Sequence, residues 1–285
     1  MMNRQAPNKT AGDALDVRPS PIAGQWYPDL PGTLRDRVQS YLDAANVEPL
    51  DGTPLALVVP HAGHVYSGGV AAHAYRLVQG QSYDVVAIVA PNHRIPNHNP
   101  FLTTGHDAYG TPLGPVPLAQ DLVDALDARV GLSRVRRDPE HSLEIQLPFL
   151  QVVLKGEFQL LPVMLNDQSR AACDTLGQAL ADLLRDRNAL LIASTDLSHF
   201  YDAQTARRLD SNVTDHIADL DPDGLFETLA SGQGKACGGV PTVAVMLAAR
   251  ALGADRAKLL KYATSGDVTG DYHSVVGYAA AVFYA

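Results

Sequence analysis

Three apolar runs in this sequence end in the same way. Leu55-Ala-Leu-Val-Val59 stops at Pro60 and delivers His61; Val85-Val-Ala-Ile-Val-Ala90 passes through Pro91 and Asn92 to His93; Ala189-Leu-Leu-Ile-Ala-Ser194 passes through Thr195, Asp196, Leu197 and Ser198 to His199. Neutral imidazole is a ligand for iron, zinc and copper, and a thiolate favours softer or redox-active metals. Cys237 offers that sulfur: it is followed by two glycines and precedes an apolar helix, an electropositive setting that lowers a thiol pKa. Cys173 reads instead as a buried cysteine packing like a small hydrophobe. A single histidine after a strand is more often structural than a ligand. The repetition is what points to a shared metal site, with His61 and His93 converging on one ion from strands expected to be neighbours.

Other residues around these positions have chemistry and a plainer alternative. Asp196, three residues before His199, is spaced to orient an imidazole acting as acid and base, or simply to cap a helix. Glu140 and His141 are candidates to support the ligands, or a charged first helical turn. Tyr66, with the irregular segment Arg94–Pro115, is expected to wall the site. Trp26 and Tyr27 would either pack beneath it or anchor the N-terminus. His64, His98, His106 and His273 carry no comparable signal, and Asp271 is suggestive only by its neighbours Tyr272 and His273. The spacing matches none of the short zinc motifs. A phosphate-cradling Gly-x-x-x-x-Gly-Lys-Ser/Thr, a Gly-x-Gly-x-x-Gly after the first strand and a Gly-x-Ser-x-Gly elbow are all missing, which argues against nucleotide enzymes and α/β-hydrolases.

The elements that must position these groups follow from periodicity. The histidine-bearing runs read as strands buried on both faces, and ligands of open α/β sheets bind beyond the carboxyl ends of such strands. Helical spacing is expected over Pro31–Ala45 (Leu34, Val38, Tyr41, Leu42), Val70–Val78, Val116–Val130, Arg170–Leu184, Ala203–Leu220, Pro222–Leu229 and Pro241–Leu252. Asp138 as N-cap and Pro139 at the first position would start a helix through Leu150, kinked at Pro148. Phe158–Leu165, Lys258–Thr264 and Ser274–Tyr284 read as further strands. Strands alternate with helices throughout, so the expectation is one α/β domain, residues 19–285, with a mostly parallel central sheet flanked by helices, behind a flexible tail over residues 1–18.

At 285 residues and 46% hydrophobic, the chain can bury a sizeable core. Its formal net charge of -9 disfavours nucleic acid and anionic membrane surfaces as partners. No apolar run approaches the roughly 20 residues of a membrane span. The polar N-terminus lacks a secretory h-region, and two cysteines form no disulfide framework, so a reduced, cytoplasmic setting is expected.

Ala23-Gly-x-Trp-Tyr-Pro28, Pro60-His-Ala-Gly-His-Val-Tyr-Ser-Gly68, Pro91-Asn-His93, Glu140-His-Ser-Leu-Glu-Ile-Gln-Leu-Pro-Phe149, Ser194-Thr-Asp-Leu-Ser-His199, Cys237-Gly238 and Ser274-Val-Val-Gly-Tyr-Ala279 occur in this order. Together they resemble the Memo family, including bacterial members called AmmeMemoRadiSam system protein B, over nearly the whole chain. The resemblance implies a fold like the LigB-type class III extradiol dioxygenases. It also implies a metal at His61, His93 and Cys237, Fe(II) first with copper or zinc as alternatives, and His199 as acid/base histidine beside Asp196. Those dioxygenases use two histidines and a glutamate; here the third position is the oxidisable Cys237. Family members are associated with iron or copper binding and redox roles, animal members with phosphopeptide signalling, and bacterial members, in name, with a radical-SAM partner protein. The leading expectation is a metal-dependent redox enzyme acting on an unidentified small molecule. A non-catalytic metal- or peptide-binding module on the same scaffold and a zinc hydrolase are the alternatives.

Overall fold

The three runs that end in histidines become inner strands of one sheet. The computed structural model describes residues 15–285. The chain runs through β1 (Val17–Arg18), α1 (Pro31–Ala44), β2 (Pro54–Val59), α2 (His64–Tyr75), β3 (Val85–Pro91), β4 (Phe101–Thr104), β5 (Ala108–Thr111), β6 (Gly114–Pro117), α3 (Gln120–Val130) and β7 (Leu132–Val135). It continues through α4 (Leu147–Val153), β8 (Gln159–Leu165), α5 (Arg170–Leu184), β9 (Ala189–Ser194), β10 (His199–Tyr201), α6 (Ala203–Ala218), α7 (Pro222–Ala230), α8 (Gly239–Ala251), β11 (Arg256–Thr264), α9 (Gly266–Thr269) and β12 (Val275–Tyr284).

The main sheet has the order β10-β12-β2-β9-β3-β8-β4-β7, with β11 added on β12. Its centre, β2-β9-β3-β8, is parallel. Parallel strands need covered crossovers, and their continuous apolar sequences are what burial on both faces requires; every residue of β3 is buried. The flanks are antiparallel, β12 on β2 and β4 on β8, so the expected parallel sheet is parallel where it carries the histidines and mixed as a whole. α8 lies on β9, β3 and β2 and packs on α5, while α2 packs on β12 and β2 and against α1 and α4. Among the described residues no helix is long and apolar enough to cross a membrane.

The structure corrects several local expectations. β2 and β3 are not neighbours; β9 sits between them. α2 starts at His64 rather than near Val70, because Gly68 lies inside the helix at a close crossing, where a Cβ would come within 2.7 Å of the Tyr41 ring. The helix expected from Pro139 begins only at Leu147, with Pro148 in its first turn, where a missing N–H costs nothing. Asp138 caps no helix, since its carboxylate is engaged by Arg18. The Arg94–Pro115 segment folds into β4, β5 and the first half of β6 instead of an open loop.

Of the tail expected over residues 1–18, residues 1–14 lie outside the described residues. Val17–Arg18 is a strand paired with β5, and Arg18 is 1% exposed. The segment just ahead of the expected Pro19 is therefore structured, because a buried ion cluster holds it down.

Candidate metal centre

At the carboxyl ends of β2, β9 and β3, one ligand atom from each of His61, His93 and Cys237 lies within 4.8 Å of the others. His61 Nε2 is 3.1 Å from Cys237 Sγ. Donors bound at about 2.0–2.3 Å to a common ion sit roughly 3.5 Å apart in tetrahedral geometry, so this donor set fits a single ion. With β9 between them, β2 and β3 run about 10 Å apart, yet the two imidazole centroids are 5.3 Å apart. The rings lean towards each other across the end of β9, where His61 meets the small residue Ser194.

Cys237 comes from the loop ahead of α8, tied to the same strand end. Its amide donates to the Asp196 carbonyl at 3.1 Å, and the Gly238 amide donates to Thr195 Oγ1 at 3.0 Å. A Cβ on Gly238 would fall 2.1 Å from the Ser194 carbonyl oxygen, so only glycine lets the thiol loop approach this closely.

A buried hydrogen-bond chain fixes the tautomer of His61. Ser194 Oγ donates to the Ser142 carbonyl at 2.6 Å and accepts from Gln146 Nε2 at 2.9 Å. A hydroxyl has one proton, so towards His61 Nδ1, 3.0 Å away, Ser194 can only accept. His61 therefore carries its proton on Nδ1 and turns the lone pair of Nε2 towards Cys237. Burial, followed by the neighbouring His93 and His141 rings, holds His61 well below the ordinary imidazole range, which keeps it neutral and able to ligate.

Glu140 performs the corresponding task for His93. Its carboxylate accepts the amides of His93, Arg94 (3.1 Å), His141 (2.8 Å) and Ser142 (3.0 Å), and its Oε1 is 3.3 Å from His93 Nδ1. Burial opposes its charge, but the His141 and His93 rings and the His93 amide outweigh that and hold the carboxyl far below the usual range. His93, Glu140 and His141 form a second close group of possible ligands. Four amides and the His93 ring already crowd the carboxylate, so Glu140 is better placed to position His93 than to hold an ion itself. His141 Nδ1 lies 3.1 Å from Glu140 Oε1, out of line for hydrogen bonding, and is a buried nitrogen without a partner among the described residues.

Asp196 does not meet His199. Its Oδ1 accepts the His61 amide at 2.7 Å, and its amide points at Cys237 Sγ at 3.3 Å. Burial raises Asp196 to about 7 against hydrogen bonds from the His61 and Ala62 amides. His199 is lowered by burial, and the Leu197 carbonyl engages its ring. The expected activation of Cys237 is reversed: burial and then the Asp196 charge push the thiol up, outweighing hydrogen bonds from the Asp196 and Gly238 amides. A helix N-terminus does not compensate for this much desolvation.

A cavity of about 610 Å³ opens over the cluster and is lined by His61, His93, His141, Asp196, His199 and Tyr66, among others. Every candidate residue except Cys237 and Glu140 therefore faces it. Cys237 and His199 line a separate cavity of about 390 Å³. Residues of the Arg94–Pro115 segment are not among the walls. Trp26, Phe200 and the stretch Ser265–Tyr278 take that place. Trp26 packs on His141 with ring centroids 4.2 Å apart, so it belongs to the site. His64 faces the core instead, donating from Nε2 to the Ile145 carbonyl at 3.2 Å and packing on Phe149.

Sequence reasoning missed Ser194, Gln146 and Arg18. The hydroxyl closing an otherwise apolar strand was a signal for Ser194. Arg18, however, reaches Asp138, Glu144 and the Glu140 carbonyl across more than 100 residues, with no local sign.

Residues 18–282 match the family described as Memo-like protein. A "MEMO1 family protein" of Methanosarcina mazei is 35% identical over 94% of this chain and 99% of its own length. Another, of Methanopyrus kandleri, is 38% identical over 92% and 97%, and one of Nitrosopumilus maritimus is 31% identical over 94% and 99%. Among solved structures, an uncharacterized protein of Escherichia coli K12 is 15% identical and aligns with a TM-score of 0.43 over 80% of this chain and 99% of its own, too slight a likeness to carry a conclusion.

Proposed function

Since the chain belongs to the Memo-like protein family, we propose that it is a metal-dependent redox protein, dioxygenase-like in its site, in which His61, His93 and Cys237 hold one Fe(II) ion. The observation that carries this reading is the meeting of two imidazoles and a thiol within 4.8 Å, both imidazoles lining a cavity and the tautomer of one fixed for ligation. Two nitrogens and a sulfur suit iron and also copper or zinc. Bound there, iron would supply Lewis acidity and one-electron chemistry.

The chain's own residues do the rest. Ser194 and Glu140 hold His61 and His93 in position. His199, kept neutral by burial, accepts a proton from a substrate hydroxyl at the ring nitrogen not engaged by Leu197. Asp196, raised to about 7 and held by the His61 amide, holds or releases a proton at another point of the same cavity lining. Tyr66 and Trp26 limit water at the cavity wall. Replacement of a carboxylate ligand by Cys237 favours one further reading, a metal-binding module that no longer turns over.

The test is metal content by mass spectrometry on anaerobically purified protein, beside His61→Ala and Cys237→Ser. About one equivalent of iron, lost in both variants, is expected from a three-ligand site. Absence of metal from every preparation, with none taken up on reconstitution, would overturn the proposal. Copper or zinc would retain the site but redirect the chemistry. Iron without oxygen consumption across a screen of phenols and thiols would favour the non-catalytic module.

A further inference from the structure

The large cavity has a polarity that its histidine floor does not account for. Among the described residues that line it there is no lysine or arginine. Asp271 stands in its wall, on a stretch of chain that also brings the hydroxyl side chains Ser265, Thr269 and Ser274 to the cavity. Asp271 Oδ1 accepts the His273 amide at 2.9 Å, and no cationic side chain pairs with the carboxylate among the described residues. Aromatic faces flank the same space. Tyr66 is 43% exposed, and Phe200 is 76% exposed beside His199, their ring centroids 5.7 Å apart. Phe200 also has φ +65°, a left-handed backbone that a bulky residue adopts rarely and at a cost. That backbone lies at the break in register between His199 and Tyr201 on β10, a bulge of the kind that re-aims a side chain beside a site, and it leaves the ring where a ligand in the cavity can cover it.

An uncompensated carboxylate with aromatic faces is a combination that selects cations, by ion pairing and by attraction to the ring quadrupoles. The chain's formal charge of -9 adds a long-range pull of the same sign. We propose that this cavity takes a small aromatic amine, its ammonium group on Asp271 and its ring between Trp26, Tyr66 and Phe200. The end of the ring opposite the ammonium, where it carries a hydroxyl, points to the histidine floor; that inner placement rests on the metal-centre reading, because a cation at the floor repels the ammonium and attracts an oxygen lone pair. Arg94, whose guanidinium stands 5.6 Å from the Trp26 ring centroid, lines a different cavity, with Arg136 and Arg137, and would favour the opposite charge. The two charge preferences therefore separate by experiment.

Trp26 is the only tryptophan and lines the cavity, so its fluorescence reports occupancy directly. Tyramine, 4-ethylphenol and 3-(4-hydroxyphenyl)propionate share a phenol and differ at the other end in charge. They are titrated into metal-free and iron-loaded protein under anaerobic conditions, with Asp271→Asn alongside; asparagine retains the acceptor for the His273 amide, and a thermal melt checks the fold. Tyramine is expected to bind about tenfold more tightly than the propionate, with the preference reduced to about twofold in Asp271→Asn. Equal or tighter binding of the propionate, a preference unchanged in Asp271→Asn, or no response to any of the three compounds at millimolar concentration would each overturn the proposal. Failure of the metal centre reads out separately, as missing iron, and leaves the amine preference of the metal-free protein intact.

Discussion

Glu140 is the residue on which two of the cavity histidines depend. It is 1% exposed, saturated by backbone amides, and in contact with both the His93 and His141 rings. A carboxylate that receives the N–H of a ligating imidazole sets that ring's tautomer and raises its basicity. Glu140→Gln preserves the shape and removes the charge, so metal affinity should fall about 10- to 100-fold, the usual effect of losing such a partner. A competition titration against a chelator measures this, with a melt to separate it from unfolding. Unchanged affinity in a folded variant would show that Glu140 only braces the backbone. The two carboxylates of the site thus differ by environment: amides and imidazoles hold Glu140 charged, while burial with fewer donors leaves Asp196 near neutrality.

At the scale of elements, the first residue of α2 links site and core. His64 is 3% exposed, and its ring makes one hydrogen bond and leaves Nδ1 without a partner among the described residues. Burial lowers it from 6.5 to about 4. Above pH 6.5 it is neutral whether the chain is folded or unfolded and contributes no pH dependence. As pH falls from about 6.5 towards 4, the unfolded chain binds a proton that the folded chain refuses, and stability is lost. The loss should reach about 3 kcal/mol by pH 4 at 1.36 kcal/mol per unit. Glutamine can still donate to Ile145, so His64→Gln should lose about 2 to 3 kcal/mol less than the native chain between pH 7 and 4.5 in urea titrations. Identical losses would place the acid sensitivity elsewhere. The position of α2 also shows why its sequence misled: Gly68 reads as a turn residue until the Tyr41 ring of α1 is seen lying against it.

At the scale of the molecule, the N-terminal strand is stitched to the back of the site. Arg18 meets Asp138 at 2.6 Å, Glu144 and the Glu140 carbonyl, and Glu144 also accepts from Ser20 and Tyr27. The segment that carries Glu140 and His141 is irregular, so this cluster replaces helical hydrogen bonding in holding it. Removing one partner from a buried ion group strands the others. Arg18→Met should cost about 3 to 5 kcal/mol in urea unfolding and loosen the Glu140 segment. A shift below about 1 kcal/mol, the range of surface pairs, would mean that water relieves the two carboxylates.

By itself the sequence determined the α/β class, the strands that end at the site, and the residue types at their ends. These depend on local apolar runs, prolines and spacing, which need no knowledge of distant chain. It also supported the family, through motifs that occur in order along the chain. Only the tertiary structure decided that β9 separates β2 from β3, that Asp196 serves the His61 amide rather than His199, and that Ser194 fixes the His61 tautomer. The same is true of burial overriding the helix end at Cys237, and of the stretch Ser265–Tyr278 walling the cavity in place of Arg94–Pro115. Each of these depends on strand order and on desolvation, which are set by contacts between residues far apart in the chain.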